Sequence, residues 1–363
     1  MRIITRRSVL SFGAGAAIVG AFAALAAIAP AMVSAHEVYV LTPGQISSAL
    51  AAPSFSLFDV ARDNLGEFAF WAFIGVLTVF CVFWISTLRF LERHLDPMFI
   101  KIRKYATLIA RLTIGISFIA SAYYQATFGP ELPIAANFGP YAGLVAVILI
   151  VIGFMVIFGL YARLAALAGL VIYAATVYQH GWYMLTYVNY LGEIIVILIL
   201  GSHSYSLDSL IARRRKAAPG PSSLVARIKG YLAPRSLAIL RVLFGIALIY
   251  ASAFAKILHN SLALDTVTKY HLDRLLGFEP HFLVLGAAIV EILIGLFFIL
   301  GIEIRFTSLF FLFWLCLSLW FFGEVVWPHL ILIGIPIAYL FYGYDEYSVE
   351  GYFFRSKKYE PVL

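Results

Sequence analysis

The chain has 363 residues, 63% of them from the set A, V, I, L, M, F, W, Y and C and only 12% charged, about half the charged share of an ordinary soluble domain. The formal net charge of +7 comes from 26 basic and 19 acidic residues set between apolar blocks, not gathered on a basic face. This balance excludes a water-soluble globule, a nucleic-acid binder and a disordered tail, and predicts an all-α integral membrane protein, a polytopic helical bundle in the lipid bilayer.

Residues 1–35 open with Arg2, Arg6 and Arg7, continue through Ala- and Gly-rich apolar sequence, and close on Val33, Ser34 and Ala35. That is the pattern of a signal peptide, or of a signal anchor that stays in place. Cleavage there makes His36 the new N-terminus. Segment 36–104 holds a short stretch too small for its own core, a first apolar span and a basic loop. About nine spans are expected after the signal segment, near 68–88, 106–126, 140–160, 164–180, 185–201, 236–257, 281–301, 306–322 and 328–343. Several are short, so tilt and burial among neighbours are expected.

With residue 36 outside, the alternate inner loops hold seventeen Lys and Arg, whereas the outer loops hold Arg62, Lys269 and Arg274. The positive-inside rule reads this as N-terminus out and C-terminus in, in a bacterial-type inner membrane, with 351–363 as a cytoplasmic tail. The stretch 211–234 joins Arg213, Arg214, Arg215 and Lys216 to Pro219, Gly220 and Pro221, a flexible basic linker at an anionic leaflet.

On either side of that linker the sequence reads as two copies of a four-helix unit, 105–210 and 235–350. Arg111 and Gly115 recur as Arg241 and Gly245 at a shift of 130, while Gly153, Gly159, Arg163, Gly192, Gly201, Tyr205 and Ser206 recur as Gly295, Gly301, Arg305, Gly334, Gly343, Tyr347 and Ser348 at a shift of 142. The extra twelve residues fall in the outer loop, which is short at 128–139 and long at 258–280. Both copies start in the same direction, so the repeats are parallel, related by an axis along the membrane normal.

The order of Arg241, Gly245, Lys256, Glu291, Gly295, Gly301 and Arg305, with the closing run Gly201, Tyr205, Ser206, Leu207 and Asp208 of the first copy, resembles the DoxX-like membrane proteins. The resemblance covers both copies and leaves out residues 1–104. It implies a four-helix unit associated with membrane redox systems, including a subunit of a thiosulfate:quinone oxidoreductase, without fixing one activity. The first copy departs from the pattern, with Leu149 where the second has Glu291 and Gln125 or Ala126 where it has Lys256. Chemistry is therefore expected in the second copy.

Glu291 lies near mid-span, on the order of 15 Å from the outer surface. An acid at that depth is costly unless it is protonated, paired or facing a wet cavity, which suits proton exchange with a lipid-soluble substrate. The structural alternative is a hydrogen bond to Tyr250, Ser252 or Tyr339. Glu193 is a second intramembrane acid, without a family counterpart. Lys256 is expected several turns from Glu291 in depth, with Glu324 and His329 as its neighbours; with His329 and His259 it makes a candidate cationic rim for a quinone carbonyl or a small anion, or else a plain interfacial charge cluster. Arg111 and Arg241 are expected to anchor helix ends against lipid phosphates. Insertion 258–280 alternates apolar and polar residues, as a surface helix does, and either connects or lids a cavity above Glu291.

Six of the eight histidines fall on the outer side, and an N-terminal His36 is a candidate copper ligand, yet no pair has HxxxH or HExxH spacing. Cys81 and Cys316 are the two cysteines, far from a CxxC pattern, so no covalently held cofactor is expected and a metal is disfavoured. The leading reading is a quinone-linked subunit in which Glu291 handles protons and Lys256, His329, Tyr250 and His259 bind the acceptor. Its electron-donating centre would sit on a partner redox protein. The alternatives are a transporter or periplasmic metal-handling protein, and a non-catalytic assembly scaffold.

Overall fold

The computed structural model describes residues 41–99, 101–202, 205–214, 230–323 and 327–353. The signal or anchor segment with His36, most of the 211–234 linker, Glu324 and most of the tail lie outside the described residues. Among the described residues the chain is helical throughout, apart from turns and an isolated bridge between Ala126 and Pro133.

Two short helices, α1 (Pro43–Ala51) and α2 (Leu57–Asp63), precede the long α3 (Phe68–Phe99). Thr42 and Gln45 form a reciprocal capping box at the start of α1, and Ser56 caps α2, so both ends are set by local hydrogen bonds. Four helices follow: α4 (Ala106–Tyr123), α5 (Ala142–Phe158), α6 (Ala162–His180) and α7 (Val188–Leu200). After the linker come α8 (Ser236–Ala253), the insertion helices α9 (Ser261–Lys269) and α10 (Leu272–Leu276), then α11 (Pro280–Leu300), α12 (Ile304–Phe322) and α13 (His329–Tyr342).

Seven segments among the described residues are long and apolar enough to cross a membrane, and the protein is an all-α polytopic membrane protein. One of them, Ala162–Leu200, contains both α6 and α7, which pack on each other after the turn Gly181–Tyr187. The other helix of that kind, α13, is shorter. At 13 and 14 residues, α7 and α13 are roughly 20 Å long, less than a hydrocarbon core, and both are largely buried.

Close approach of glycines sets the packing. A Cβ on Gly153 would lie 2.7 Å from the Gly115 carbonyl oxygen, and one on Gly245 would lie 2.5 Å from that of Gly295. These contacts seat α5 on α4 and α11 on α8, as small residues do where membrane helices cross. Between a first set, α4–α7, and a second, α8 with α11–α13, α7 packs on α8 through Gly192 against Leu240, and α13 packs on α4 through Gly334 against Thr113. Each fourth helix thus completes the other set, and a single apolar core runs through both. Helix α3 leans on α12 by setting Trp84 among Phe80, Phe306 and Phe310.

The arginines at the helix starts do not reach for lipid phosphates, as the sequence suggested. Arg111 and Arg241 are 4% and 1% exposed. Arg111 donates to the carbonyls of Ser202 and Tyr205, the latter at 2.8 Å. Arg241 donates to Ile299 and Tyr347 carbonyls at 2.7 and 3.2 Å and pairs with Asp345 at 3.1 Å. Both arginines hold the chain that follows α7 and α13, and Arg241 also satisfies a last-turn carbonyl of α11 that has no helical partner. Arg163 and Arg305 do the same, each donating Nε at 3.1 Å, to Leu198 and Leu340. Asp208 and Glu350 accept from the N–H groups of Tyr161 and Ile304, both at 3.0 Å, at the starts of α6 and α12. Arg163 on Leu198 and Arg305 on Leu340, pairs 142 apart in the chain, therefore make the same contact at this end of the bundle, called the arginine end below.

Candidate functional site

At the opposite end, where the insertion lies, a cavity of about 700 Å³ opens inside the second helix set, within the size range of small-molecule sites. Its walls are mostly apolar, drawn from α8, α11 and α12, with Phe73 of α3 closing one side. The 258–280 insertion does not lie flat as a connector: Ala263, Thr266 and Val267 of α9 and Leu272, Leu275 and Leu276 of α10 form part of the wall. The apolar face of α9 is buried on the bundle because α9 packs against α11 and α1, whereas Leu275 and Leu276 of α10 keep exposed surface.

Polar groups are few on the lining and include Thr186, Asn189, Lys256, Thr266, Glu291, Ser318 and His329. Lys256 Nζ lies 2.9 Å from Glu291 Oε2, with side-chain exposures of 7% and 27%. The sequence placed these two several turns apart, and the structure corrects that. Gly245 contacts both Gly295 and Ile299 and Gly295 contacts Ile249, so counting up the antiparallel pair leaves Lys256 and Glu291 about one turn, roughly 6 Å, apart in depth. The lysine stem spans that gap. A π-helical turn at Phe254–Leu258, closed by the His259 N–H on the Phe254 carbonyl at 2.9 Å, extends α8 far enough to present the lysine. At the matching place in the first set α4 has ended, and Gln125 turns the chain with a positive φ of 54°.

His329, 5% exposed at the start of α13, lines the same cavity. Tyr250 and His259 do not: Tyr250 stacks on Phe254 at 6.4 Å and His259 sits 4.7 Å from the same ring. Tyr339 is likewise not a partner of Glu291, because its hydroxyl donates to the Leu237 carbonyl near the arginine end. Glu324 lies outside the described residues; without His259 the cationic rim on the lining is Lys256 and His329, with Glu291 as the lysine's counter-charge.

Sequence reading missed Thr186 and Asn189. Both belong to the first helix set and reach the cavity because α7 packs against α8. Thr186 Oγ1 and Asn189 Oδ1 are buried with no hydrogen-bond partner among the described residues, at residues that line the cavity. One signal was present in the sequence: Asn189 stands four residues before Glu193, on the same face of a helix. Among the described residues no three His, Cys, Asp or Glu side chains gather as metal ligands would.

The model of the DoxX family matches residues 236–324, from the start of α8 through α11 and the end of α12. This stretch is a DoxX domain. It contains Lys256, Glu291 and the insertion, so the larger cavity is built mainly from the DoxX domain, with α13 and the α7 turn closing it. No curated protein and no solved structure matches the chain.

Proposed function

We propose that the protein is a quinone-linked subunit of a membrane redox system, binding a lipid-soluble quinone in the DoxX-domain cavity. The observation that carries this reading is the Lys256–Glu291 ion pair, its lysine buried and its acid partly exposed, in the wall of a mostly apolar cavity. Such a site suits a molecule with a flat polar head and a long apolar tail. Lys256 donates to a ring carbonyl, His329 and the Asn189 amide complete the polar end, and the leucine and phenylalanine walls hold the tail.

Glu291 is the proton-exchanging group of this reading. Its carboxyl borders the cavity at 27% exposure, within reach of a bound head group, and Lys256 holds its position. Electrons come from a partner protein, since the two cysteines stand apart on α3 and α12 and the chain has no thiol pair. The positive-inside bias supports placing the cavity at the outer half of an inner membrane and the arginine end at the cytoplasmic face. The matching contacts 142 residues apart support two parallel four-helix copies, with the acid and lysine retained in the second.

The test is mass-spectrometric quantification of quinone retained by detergent-purified protein, wild type beside Glu291→Gln and Lys256→Ala. Wild type should retain close to one quinone per chain. Each variant should retain on the order of tenfold less, since losing a charge-assisted hydrogen bond costs about 1.5–3 kcal/mol. Wild-type protein free of quinone, or variants that retain it fully, would overturn the reading.

A further inference from the structure

We propose that Glu193 is a proton carrier joining the water at the arginine end of the bundle to the large cavity. Glu193 sits in the middle of α7 at 1% exposure. Thr113 Oγ1 donates to its Oε1 at 3.3 Å, and Oε2 has no hydrogen-bond partner among the described residues. A small cavity of about 10 Å³, room for about one water, is lined by Glu193 together with Arg111, Thr107 and Ser202. The Nε of Arg111 is buried there without a hydrogen-bond partner as well.

Toward the other end, Asn189 is one turn, roughly 6 Å, along the same helix from Glu193, and Thr186 is three residues beyond it. Both residues line the large cavity, and one buried oxygen of each has no hydrogen-bond partner among the described residues. Arg111, Glu193, Asn189 and Thr186 thus form a file of buried polar groups, each with an atom unmatched, from the arginine end to the cavity. Polar groups buried in this way inside a membrane are costly, and packing alone does not call for them. The positions 142 residues later are Pro328, Ile331 and Ile335, and both isoleucines are 0% exposed in an equally closed bundle. Leu243 stands where the shift of 130 carries Thr113. The same architecture is built with apolar side chains in one place and a polar file in the other.

The transfer is acid–base and moves no electrons. The neutral Glu193 carboxyl releases its Oε2 proton toward an acceptor oxygen beside Asn189; the carboxylate left behind is reprotonated through a water in the small cavity, which takes its replacement proton from bulk water at the arginine end. The Thr113 hydroxyl, 3.3 Å from the other carboxyl oxygen, shares its one proton with the Ile109 and Ala110 carbonyls at 3.1 and 3.0 Å. The destination, a proton-accepting ligand in the large cavity, rests on the function proposed above; the path itself does not.

Infrared difference spectra of wild type against Glu193→Gln isolate the Glu193 carboxyl band. On transfer into heavy water this band should shift within the mixing time. Ala110→Leu or Thr107→Leu, which fill the small cavity, should slow the exchange on the order of tenfold, a barrier change of about 1.4 kcal/mol, while Asn189→Leu should leave it fast. A band that does not exchange in wild type, no band assignable to Glu193, or exchange slowed by Asn189→Leu alone would overturn the proposal. Quinone retention, measured on the same samples, separates the two readings. Glu193→Gln should keep the quinone, and a wild type with fast exchange and no quinone would defeat the proposed ligand while leaving the path intact.

Discussion

Replacing Glu291 by leucine takes the carboxylate from Lys256 Nζ, 2.9 Å away, and leaves a lysine only 7% exposed inside a membrane bundle. Removing one partner of a buried ion pair costs about 3–5 kcal/mol. The lower end applies here because the site borders a cavity large enough to admit water, so Glu291→Leu is expected to destabilise the fold by about 3 kcal/mol. Lys256→Met leaves the carboxylate instead, which is 27% exposed, and should cost about half as much. If the two residues acted independently, the double variant would lose about 4.5 kcal/mol; because the pair is coupled, it should lose only about 1–2 kcal/mol. Equilibrium unfolding of detergent-solubilised protein in increasing SDS measures all four corners of this cycle. A double variant as unstable as the sum of the singles would refute the pairing, and with it the register of α8 against α11.

Gly245→Ala puts a methyl group 2.5 Å from the Gly295 carbonyl oxygen, a backbone atom unable to rotate away, and should cost about 1–3 kcal/mol in the same assay. Gly143→Ala is its control: nothing lies within 4 Å, so it should be neutral or slightly stabilising through helix propensity. Glu279 caps α11 by accepting from the Phe282 N–H at 2.8 Å and also binds His281. Burial acts to raise its pKa, but the hydrogen bonds from His281 and the Phe282 N–H outweigh it and hold the carboxyl below the usual glutamate value. A depressed folded pKa gives stability that is present above the unfolded value and lost as pH falls through the folded one. Melting temperature should therefore drop more in wild type than in Glu279→Gln between roughly pH 6 and 3, and equal drops would count against the cap.

The membrane class was legible from composition because a span needs a run of apolar residues whatever its neighbours do. Recurrent glycines and arginines were legible too, since Gly153 and Gly295, or Arg163 and Arg305, meet the same steric and hydrogen-bonding demand. The use made of Arg111 and Arg241 was not legible: a basic residue near a helix start fits a lipid phosphate as well as a buried carbonyl. The two short spans expected at 164–180 and 185–201 correspond to α6 and α7, with the turn Gly181–Tyr187 between them leaving α7 only 13 residues. Its shortness is tolerated because α7 is buried between helices.

The sequence by itself determined that this chain is a helical membrane protein, that the DoxX domain carries Lys256 and Glu291, and that Glu193 is a second acid inside a span. Only the tertiary structure decided that Lys256 meets Glu291, that the 258–280 insertion walls a cavity, and that Asn189 and Thr186 of the first helix set reach into the second. Composition and periodicity are properties of neighbours in the chain, whereas these contacts depend on helix register and on which helix fills which groove. That choice is made by close glycine contacts between segments up to 221 residues apart, as at Gly334 against Thr113.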